Sequence, residues 1–461
     1  MFDLREASRD RWLWAASTLG LMLRVVPWAM WPSTECIRDE CIYRTIAYRI
    51  VAGDGLTTSQ KGWLPAPGYP YLLALSKVVT DSMQSVESLQ VVLSVLSLVV
   101  LYGIAKEVFD RRTARIAAFA CAIHPTLIFF ATTMWIETIY IFLLLGSILL
   151  ALLARRHATL RLGAGSGALL GVAILFRGIA TYLPPVFALG VLWPEDAWKV
   201  ASWRESLQKR WKSALALGLA TAITVAPWSL YASPRQGGFL VSDATVGHVM
   251  WLGNNDYPPL TFDYGIGMLT EDLFNKYLRT GRRPCDRTEP PVKSSRCDVA
   301  TAMDWIEDHP AEFARRIPVR CAQFFNPNSF LTRHVRWGYW TGFPWWAKEL
   351  LAIYQVACTG VIVIGGTLGL LARGRGSYAW MSAFVATYTV FASAIMYGMT
   401  RFRLPLEPLW IVFLAGLLAS PREAWQALRG SPVPLSLAIF LTPILGYLML
   451  WYLPTGFPMF W

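Results

Sequence analysis

Long apolar runs recur from Trp12 to the end of the chain, and this feature limits the fold more than any other. A helix needs about 20 apolar residues to cross a bilayer. Hydrophobic residues make up 55% of the 461 residues and charged residues only 16%, well below the share in soluble domains. The sequence therefore predicts an all-α polytopic membrane protein. It excludes a disordered chain, a coiled coil and a typical cytosolic enzyme.

Eleven runs are candidate membrane spans, near residues 12–32, 86–106, 114–131, 138–154, 162–176, 179–193, 213–231, 350–371, 378–397, 405–419 and 433–452. Residues 65–79 are also apolar, but Pro-Ala-Pro-Gly opens the segment and it is too short to cross. If it lies along the interface, every short basic cluster falls on one side of the membrane. We therefore expect an interfacial helix there and a cytoplasmic N-terminus.

If successive spans alternate in direction, two large segments lie on the outer side. The chain then divides into three regions. These are a transmembrane module at 1–231 with its first outer loop at 33–85, an outer loop or subdomain at 232–349, and C-terminal helices at 350–461. Five of the seven cysteines fall in outer segments, where disulfides form. Cys285 and Cys297 are the expected pair. The net charge of +12 mostly marks topology, and no P-loop or zinc spacing is present, so no nucleic-acid partner is expected.

Acidic residues lie near the outer ends of two predicted spans. Asp39 and Glu40 open an amphipathic helical pattern shortly after the first span. Glu137 lies at the outer end of the fourth span, where an acid costs free energy unless it is paired or functional. Each acid is either a first-turn carboxylate favoured by the helix dipole or a participant in catalysis, such as a general base.

Basic residues in predicted outer loops run against the positive-inside trend. Arg177 lies between the fifth and sixth spans, and Arg401 and Arg403 lie just before the tenth. These arginines either reach toward lipid headgroups or form a phosphate clamp, which Lys61 would join. Glu407 is an alternative partner for one of them.

The remaining candidates are His124 and the start of the second large outer segment. His124 precedes a proline at the outer end of the third span and is either a satisfied core histidine or a substrate or metal contact. Trp251, Asn254, Asn255 and Asp256 open the large loop. Their Gly-Asn-Asn-Asp stretch is a turn signal, and an aromatic ring beside amides also suits a sugar.

In order and spacing, these motifs resemble the membrane glycosyltransferases of the GT-C type, and most of all the branch of protein O-mannosyltransferases and lipid A aminoarabinose transferases. The motifs are Asp39-Glu40 on a helix ending in Ala52-Gly53, Pro65-Ala-Pro-Gly-Tyr-Pro-Tyr, a Glu-Val-Phe-Asp-Arg-Arg turn at 107–112, His124-Pro125, Glu137 and Arg401-Phe-Arg-Leu-Pro. The resemblance covers residues 12–195 well and the last 65 weakly.

The resemblance implies a polyprenyl-phosphate sugar as donor and a protein, lipid or glycan as acceptor. It implies Asp39 as the base, Glu137 as the second acid with Glu40 in support, and Arg177, Arg401 and Arg403 as phosphate ligands. Metal dependence stays open, because the second outer loop has only one acid. We expect an inverting transferase of the bacterial inner membrane, acting at the periplasmic face.

Two other classes remain as alternatives. One is a polysaccharide polymerase or ligase that uses a lipid-diphosphate donor, and the other is a flippase for a lipid-linked sugar. A flippase would carry acids or broken helices near the bilayer midplane. The acids here cluster at one face instead, which favours an enzyme.

Overall fold

Helices build the whole described part of the molecule. The computed structural model describes residues 7–31, 36, 39–56, 64–255, 285, 289–327, 330–336 and 339–450. From the N-terminus to the middle of the chain the helices are α1 (Arg11–Met30), α2 (Asp39–Ala52), α3 (Gly68–Thr80), α4 (Ser85–Val108), α5 (Arg111–Ala122), α6 (Pro125–Ala131), α7 (Glu137–His157), α8 (Leu160–Phe176), α9 (Pro184–Leu192), α10 (Val200–Arg235) and α11 (Val246–Gly253).

The second half continues with shorter helices before the last spans. These are α12 (Pro291–Asp308), α13 (Pro310–Phe325), α14 (Phe330–Arg336), α15 (Trp345–Arg373), α16 (Gly376–Ile395), α17 (Thr400–Arg403), α18 (Glu407–Ala419), α19 (Pro421–Arg429) and α20 (Pro432–Leu450). Short 3₁₀ turns at Gly178–Tyr182 and Leu404–Leu406 link α8 to α9 and α17 to α18.

Eight helices within the described ranges are long and apolar enough to cross a membrane, counting Thr400–Ala419 as one. This confirms the all-α polytopic fold. The other three predicted spans are not single long helices. The span near 114–131 is the pair α5 and α6, bent by 60°. The span near 162–176 is α8, with 17 residues, and the span near 179–193 is a 3₁₀ turn followed by the nine residues of α9.

The bend between α5 and α6 is held by a buried arginine from another helix. Arg24 of α1 donates to the carbonyl oxygens of Ala122 at 3.0 Å and Cys121 at 3.4 Å, which are the last residues of α5. The last carbonyls of a helix have no i+4 N–H partner within it, and a cation is favoured at a helix C-terminus. Beyond the break, His124 caps α6 by accepting from the backbone N–H of Leu127 at 3.3 Å. The chain can therefore turn without exposing backbone groups to lipid.

The first outer segment packs against one end of the bundle. The sequence predicts a helix at 65–79, and α3 occupies this position with 13 residues. A Cβ at Gly68 would overlap the ring of Phe176 at the end of α8, so α3 and α8 meet closely there. Tyr43 of α2 and Tyr69 of α3 form an edge-to-face pair with ring centroids 5.3 Å apart. The interfacial position of α3 stays a prediction.

Two disulfides form among the described residues, and the sequence predicts one of them. Cys285 bonds to Cys297, as the sequence predicts. Cys36 bonds to Cys41, a pair that the sequence analysis did not single out, and this short ring encloses Asp39 and Glu40. The boundaries of the three predicted regions stay predictions.

A buried carboxylate fixes the opposite end of the bundle. Asp10 is fully buried, and its Oδ2 accepts from Tyr102 at 2.8 Å, Arg111 at 2.8 Å and Arg115 at 2.9 Å. Burial raises the pKa of the Asp10 carboxyl, but the hydrogen bonds from Arg111, Arg115 and Tyr102 outweigh it and hold this pKa well below its usual range. The pairing ties the start of α1 to α4 and α5.

Replacing Asp10 with Asn should lower stability by about 1–2 kcal/mol, because both arginines lose their anion but are partly exposed. A lowered folded-state pKa stabilises the fold above the pKa of the unfolded chain, about 3.9, and this stability is lost as pH falls below it. Thermal midpoints measured from neutral pH down to about pH 3 should therefore fall more in wild type than in Asp10→Asn.

Asp196→Asn is the matched control, because Asp196 pairs with Lys199 at 2.9 Å on the surface. It should change the midpoint little. Equal pH profiles for wild type and Asp10→Asn would contradict the assignment.

Candidate active site

Helix topology brings four charged residues from distant parts of the chain to one end of the bundle. Asp39 is the first residue of α2 and Glu137 the first of α7. Arg177 directly follows α8, and Arg401 lies in α17. Since α7 starts and α8 ends at this end, an antiparallel hairpin places Glu137 next to Arg177. The sequence predicts each of these residues as functional.

The four side chains form a continuous row of ion pairs. Arg401 Nη1 lies 2.7 Å from Asp39 Oδ2, and Arg401 Nε lies 2.6 Å from Glu137 Oε1. Arg177 Nη1 lies 3.6 Å from the same Glu137 oxygen. Two carboxylates and two guanidinium groups cancel in formal charge. This cancellation is what allows the group to leave water, because a lone buried ion would be strongly destabilising.

Exposure separates the two acids. The Glu137 side chain is 0% exposed, whereas that of Asp39 is 39% exposed. Asp39 uses Oδ2 for Arg401, and its Oδ1 accepts no hydrogen bond from any described residue. Of the two acids, Asp39 is therefore the carboxylate that an incoming substrate can reach.

Aromatic rings flank both guanidinium groups. Arg401 lies over Trp135 at 4.7 Å and Phe330 at 5.9 Å. Arg177 Cζ lies 5.5 Å from the centre of the Tyr140 ring and 5.6 Å from the centre of the Phe402 ring. Such contacts stabilise a desolvated cation without using its N–H donors.

The donors of Arg177 remain uncommitted. Its side chain is only 11% exposed, yet it makes no hydrogen bond with a described residue, and its Nη1 is fully shielded from solvent. A guanidinium carries five N–H donors, and leaving buried donors unsatisfied costs free energy. Among the described residues, the Arg177 guanidinium group therefore has no hydrogen-bond acceptor.

Arg403 has a different environment from its neighbour Arg401. Its Nε donates to Glu407 at 2.8 Å, and its Nη1 donates to the carbonyl oxygens of Phe324 at 2.6 Å and Asn326 at 3.0 Å. The other oxygen of Glu407 lies 2.6 Å from His124 Nε2. Arg403, Glu407 and His124 are all buried. They form a polar cluster that joins α6, α13 and α18.

Glu40 is buried behind Asp39 and is held by an aromatic pair. The Tyr339 hydroxyl donates to Glu40 Oε2, and Trp135 Nε1 donates to the Tyr339 oxygen at 2.9 Å. Burial, and then the Glu40 carboxylate, raise the pKa of Tyr339 far above its usual value, so the phenol stays a donor. The sequence analysis missed Tyr339 and Trp135. The available signals were the aromatic-rich run at 337–346 and a tryptophan two residues before Glu137.

The predicted sugar-binding residues lie where three helices meet, and their side chains bond mostly to backbone carbonyl groups. Asn254 is fully buried; its Nδ2 donates to the carbonyl oxygen of Ile395 at 3.0 Å, and its Oδ1 accepts from Arg320 at 2.9 Å. Asn255 Nδ2 donates to the carbonyl oxygen of Trp251 at 2.9 Å, and the Trp251 ring is buried. These contacts join the end of α11 to α13 and α16. A role for them in binding sugar stays a prediction.

Two predicted site residues, Lys61 and Asp256, lie outside the described residues. Within the described ranges, no three His, Cys, Asp or Glu side chains are grouped so that they could hold a metal ion. Metal dependence therefore stays open, as in the sequence analysis.

Comparison with solved structures identifies the fold. The oligosaccharyltransferase AglB from Archaeoglobus fulgidus, in complex with an inhibitory peptide and a dolichol-phosphate, superimposes with a TM-score of 0.53 and 16% identity, covering 96% of this chain and 55% of that one. Its apo form gives a TM-score of 0.53 and 14% identity over the same shares. The protein therefore has the fold of GT-C membrane glycosyltransferases. It spans about half the length of these archaeal chains.

Part of the sequence matches a known family model. Residues 65–231 match the family model described as dolichyl-phosphate-mannose-protein mannosyltransferase. This confirms the resemblance to the GT-C mannosyltransferase branch, and the matched region includes Glu137 and Arg177. ArnT from Cupriavidus metallidurans bound to undecaprenyl phosphate is also similar, with 15% identity over 91% of this chain and 78% of that one, but its TM-score is 0.40. No curated protein matches the sequence.

Because Glu137 is buried and Asp39 is partly exposed, replacing each acid should lower the stability of the protein by a different amount. Glu137→Gln should cost about 3–5 kcal/mol, because it leaves buried guanidinium groups without their shared anion. Asp39→Asn should cost about 1 kcal/mol or less, because that pair is partly exposed. Thermal unfolding of the purified variants in detergent measures both. The double variant Glu137→Gln/Arg401→Gln should recover part of the loss. Equal destabilisation by the two single variants would argue against this account.

Proposed function

We propose that this protein is an inverting glycosyltransferase that moves a sugar from a polyprenyl-phosphate donor to an acceptor at the outer face of a membrane. The observation that carries the proposal is the pairing of a half-exposed carboxylate with a shielded arginine whose donors are free. Asp39 Oδ1 offers a base, and Arg177 offers a site for an anion. A phosphate-linked sugar needs both groups close together.

The proposed chemistry is a single displacement. Asp39 Oδ1 takes the proton of the acceptor hydroxyl as the oxygen attacks the anomeric carbon of the sugar. The bond from that carbon to the phosphate oxygen breaks, and polyprenyl phosphate leaves with the electron pair. Arg177 donates hydrogen bonds to the phosphate as charge develops on it, and Arg401 orients Asp39 from the other oxygen. A phosphate is a good leaving group, so no general acid is required.

Recognition of the phosphate rests on hydrogen bonds rather than on a positive field. The four charges of the row cancel, so the row itself adds little net attraction for an anion. Arg177 can supply two parallel N–H groups to the phosphate oxygens, a geometry that lysine lacks. In this proposal Glu137 keeps both arginines in place, and Glu40 orients Asp39 or the acceptor.

Two features support the outer face as the place of reaction. The Cys36–Cys41 disulfide encloses Asp39, and disulfides persist in oxidising compartments. The basic cluster around Asp10, Arg111 and Arg115 lies at the opposite end of the bundle, as the positive-inside rule requires of a cytoplasmic face. We place the protein in a bacterial inner membrane, with a protein, lipid or glycan acceptor.

Asp39→Asn should reduce transfer at least about 100-fold while leaving folding intact, because the amide cannot accept the proton. The assay supplies purified protein in lipid discs with a panel of radiolabelled polyprenyl-phosphate sugars and a membrane extract as acceptor. Asp54→Asn is the control, since Asp54 is an exposed acid in the same outer segment. Near wild-type turnover by Asp39→Asn would remove Asp39 as the base. Label release from a diphosphate-linked donor alone would favour the polymerase or ligase class.

Replacing Arg177 and replacing Arg403 should have different effects. Arg177→Gln should raise the KM for the donor about tenfold or more and lower kcat, because its donors serve the phosphate; it should lower stability less than Glu137→Gln, because Arg401 still pairs with Glu137. Arg403→Gln should instead lower stability by about 2–4 kcal/mol, because Glu407 and two carbonyl groups lose their donor. Donor titrations and thermal midpoints measure the two effects. A donor-specific defect in Arg403→Gln at wild-type stability would return Arg403 to the phosphate site.

A further inference from the structure

The side chain of Arg177 is not held by hydrogen bonds, so something else must fix its direction. Its side chain lies 3.6 Å from the Glu137 oxygen and about 5.5 Å from the rings of Tyr140 and Phe402. None of these is strongly directional. The orientation of the guanidinium group therefore depends on the backbone from which it projects.

The backbone at Arg177 is extended and takes part in two local hydrogen bonds: its N–H donates to the carbonyl oxygen of Ala173 at 2.8 Å, and its carbonyl oxygen accepts from the Ala180 N–H at 3.1 Å. Arg177 ends α8 with φ at −151° and precedes the 3₁₀ turn Gly178–Tyr182. The loop at 240–245, which follows α10, contacts the chain on both sides of this point. Ser242 Oγ donates to the carbonyl oxygen of Ile174 at 2.6 Å, and the Asp243 carboxylate packs directly against Gly178.

Asp243 and Gly178 fit each other closely. A Cβ at position 178 would overlap Asp243 Oδ2, so the carboxylate occupies the space that only glycine leaves open. Asp243 Oδ1 accepts from the backbone N–H of Thr245 at 3.1 Å and from its hydroxyl at 2.6 Å. One carboxylate oxygen of Asp243 thus binds Thr245, and the other lies against Gly178.

Asp243 is partly buried and pairs with no lysine or arginine of the described chain, which makes its desolvation costly. Burial raises the pKa of the Asp243 carboxyl, and the hydrogen bonds from Thr245, together with the nearby N–H of Gly178, oppose this rise. A buried carboxylate without a salt bridge lowers stability unless its hydrogen bonds compensate. The same loop is tied to the first outer segment, since the Ala244 N–H donates to the carbonyl oxygen of Leu64 at 3.0 Å.

We infer that Asp243 is a positioning residue for Arg177: its carboxylate fixes the Gly178 turn so that the free guanidinium donors face the phosphate of the donor lipid. The inference rests on the proposed function for the identity of the anion. It assigns to the proposed reaction a residue 66 positions from Arg177 that touches neither substrate nor the row of ion pairs.

The test is a double-mutant cycle on binding of polyprenyl phosphate, the leaving group of the proposed reaction. Asp243→Asn keeps an acceptor for Thr245 but removes the second carboxylate oxygen from Gly178. It should weaken binding about tenfold, raise the donor KM similarly, lower kcat because the phosphate is held less well as charge develops on it, and leave the acceptor KM nearly unchanged. In an Arg177→Gln background the same change should have little further effect, because Asp243 acts through Arg177.

Ser242→Ala is the matched control. It removes the neighbouring loop contact to Ile174 and should lower thermal stability without a donor-specific defect. If Ser242→Ala and Asp243→Asn weaken lipid binding equally, the effect is general loosening of the loop and the inference fails. Full additivity of Asp243→Asn with Arg177→Gln also overturns it.

Hydrogen exchange separates this inference from the proposed function. The Gly178 amide should exchange slowly in wild type and faster in Asp243→Asn, whatever the protein transfers. Unchanged exchange would refute the anchoring role directly. Faster exchange in the variant, together with no polyprenyl-phosphate binding by wild type, would overturn the phosphate as the ligand of Arg177 and the proposed function with it, while leaving the anchor in place.

Discussion

A buried guanidinium bound by two carboxylates organises this protein. Arg401 and Asp39 are 362 residues apart in sequence, and Glu137 comes from a third helix, yet the three charges meet in one row. In an apolar bundle a charge of either sign is destabilising without its partner, so the packing of α2, α7 and α17 must bring the groups together. Neutralisation therefore fixes both the fold at this end and the position of the accessible carboxylate.

Three arginines at this end of the bundle have three different environments. Arg401 is bound by carboxylates and faces Trp135, Arg403 is bound by Glu407 and two carbonyl groups, and the guanidinium group of Arg177 has no hydrogen bond to a described residue. Charge alone does not distinguish them, because all three are cationic and nearly buried. What differs is how many N–H donors the fold has already used. Ligand binding is supported where donors remain, and a structural role is supported where they do not.

Sequence patterns predict the membrane class, the helical fold and the end of the bundle where the acids gather, because hydropathy and helix length are local properties. They identify Asp39, Glu137, Arg177 and Arg401 as candidates, and the structure brings these four together. They do not predict the broken span at α5 and α6, whose bend depends on Arg24 from another helix. Nor do they predict Asp243, because its role arises from a contact with Gly178 that no periodicity encodes.

Other buried arginines show why the free donors of Arg177 are informative. Arg24 satisfies its donors with the last carbonyls of α5, and Arg320 does so with the carbonyls of Ala394 and Ile395 at the end of α16. The chain thus repeatedly solves the problem of a desolvated guanidinium by placing it at a helix C-terminus, where orphan carbonyls accept. No such carbonyl accepts from the guanidinium group of Arg177 within the described chain, although the backbone N–H of Arg177 caps α8 by donating to Ala173. An unsatisfied donor set kept next to a reachable carboxylate lowers the stability of the empty protein. It becomes favourable once an anion supplies the missing acceptors.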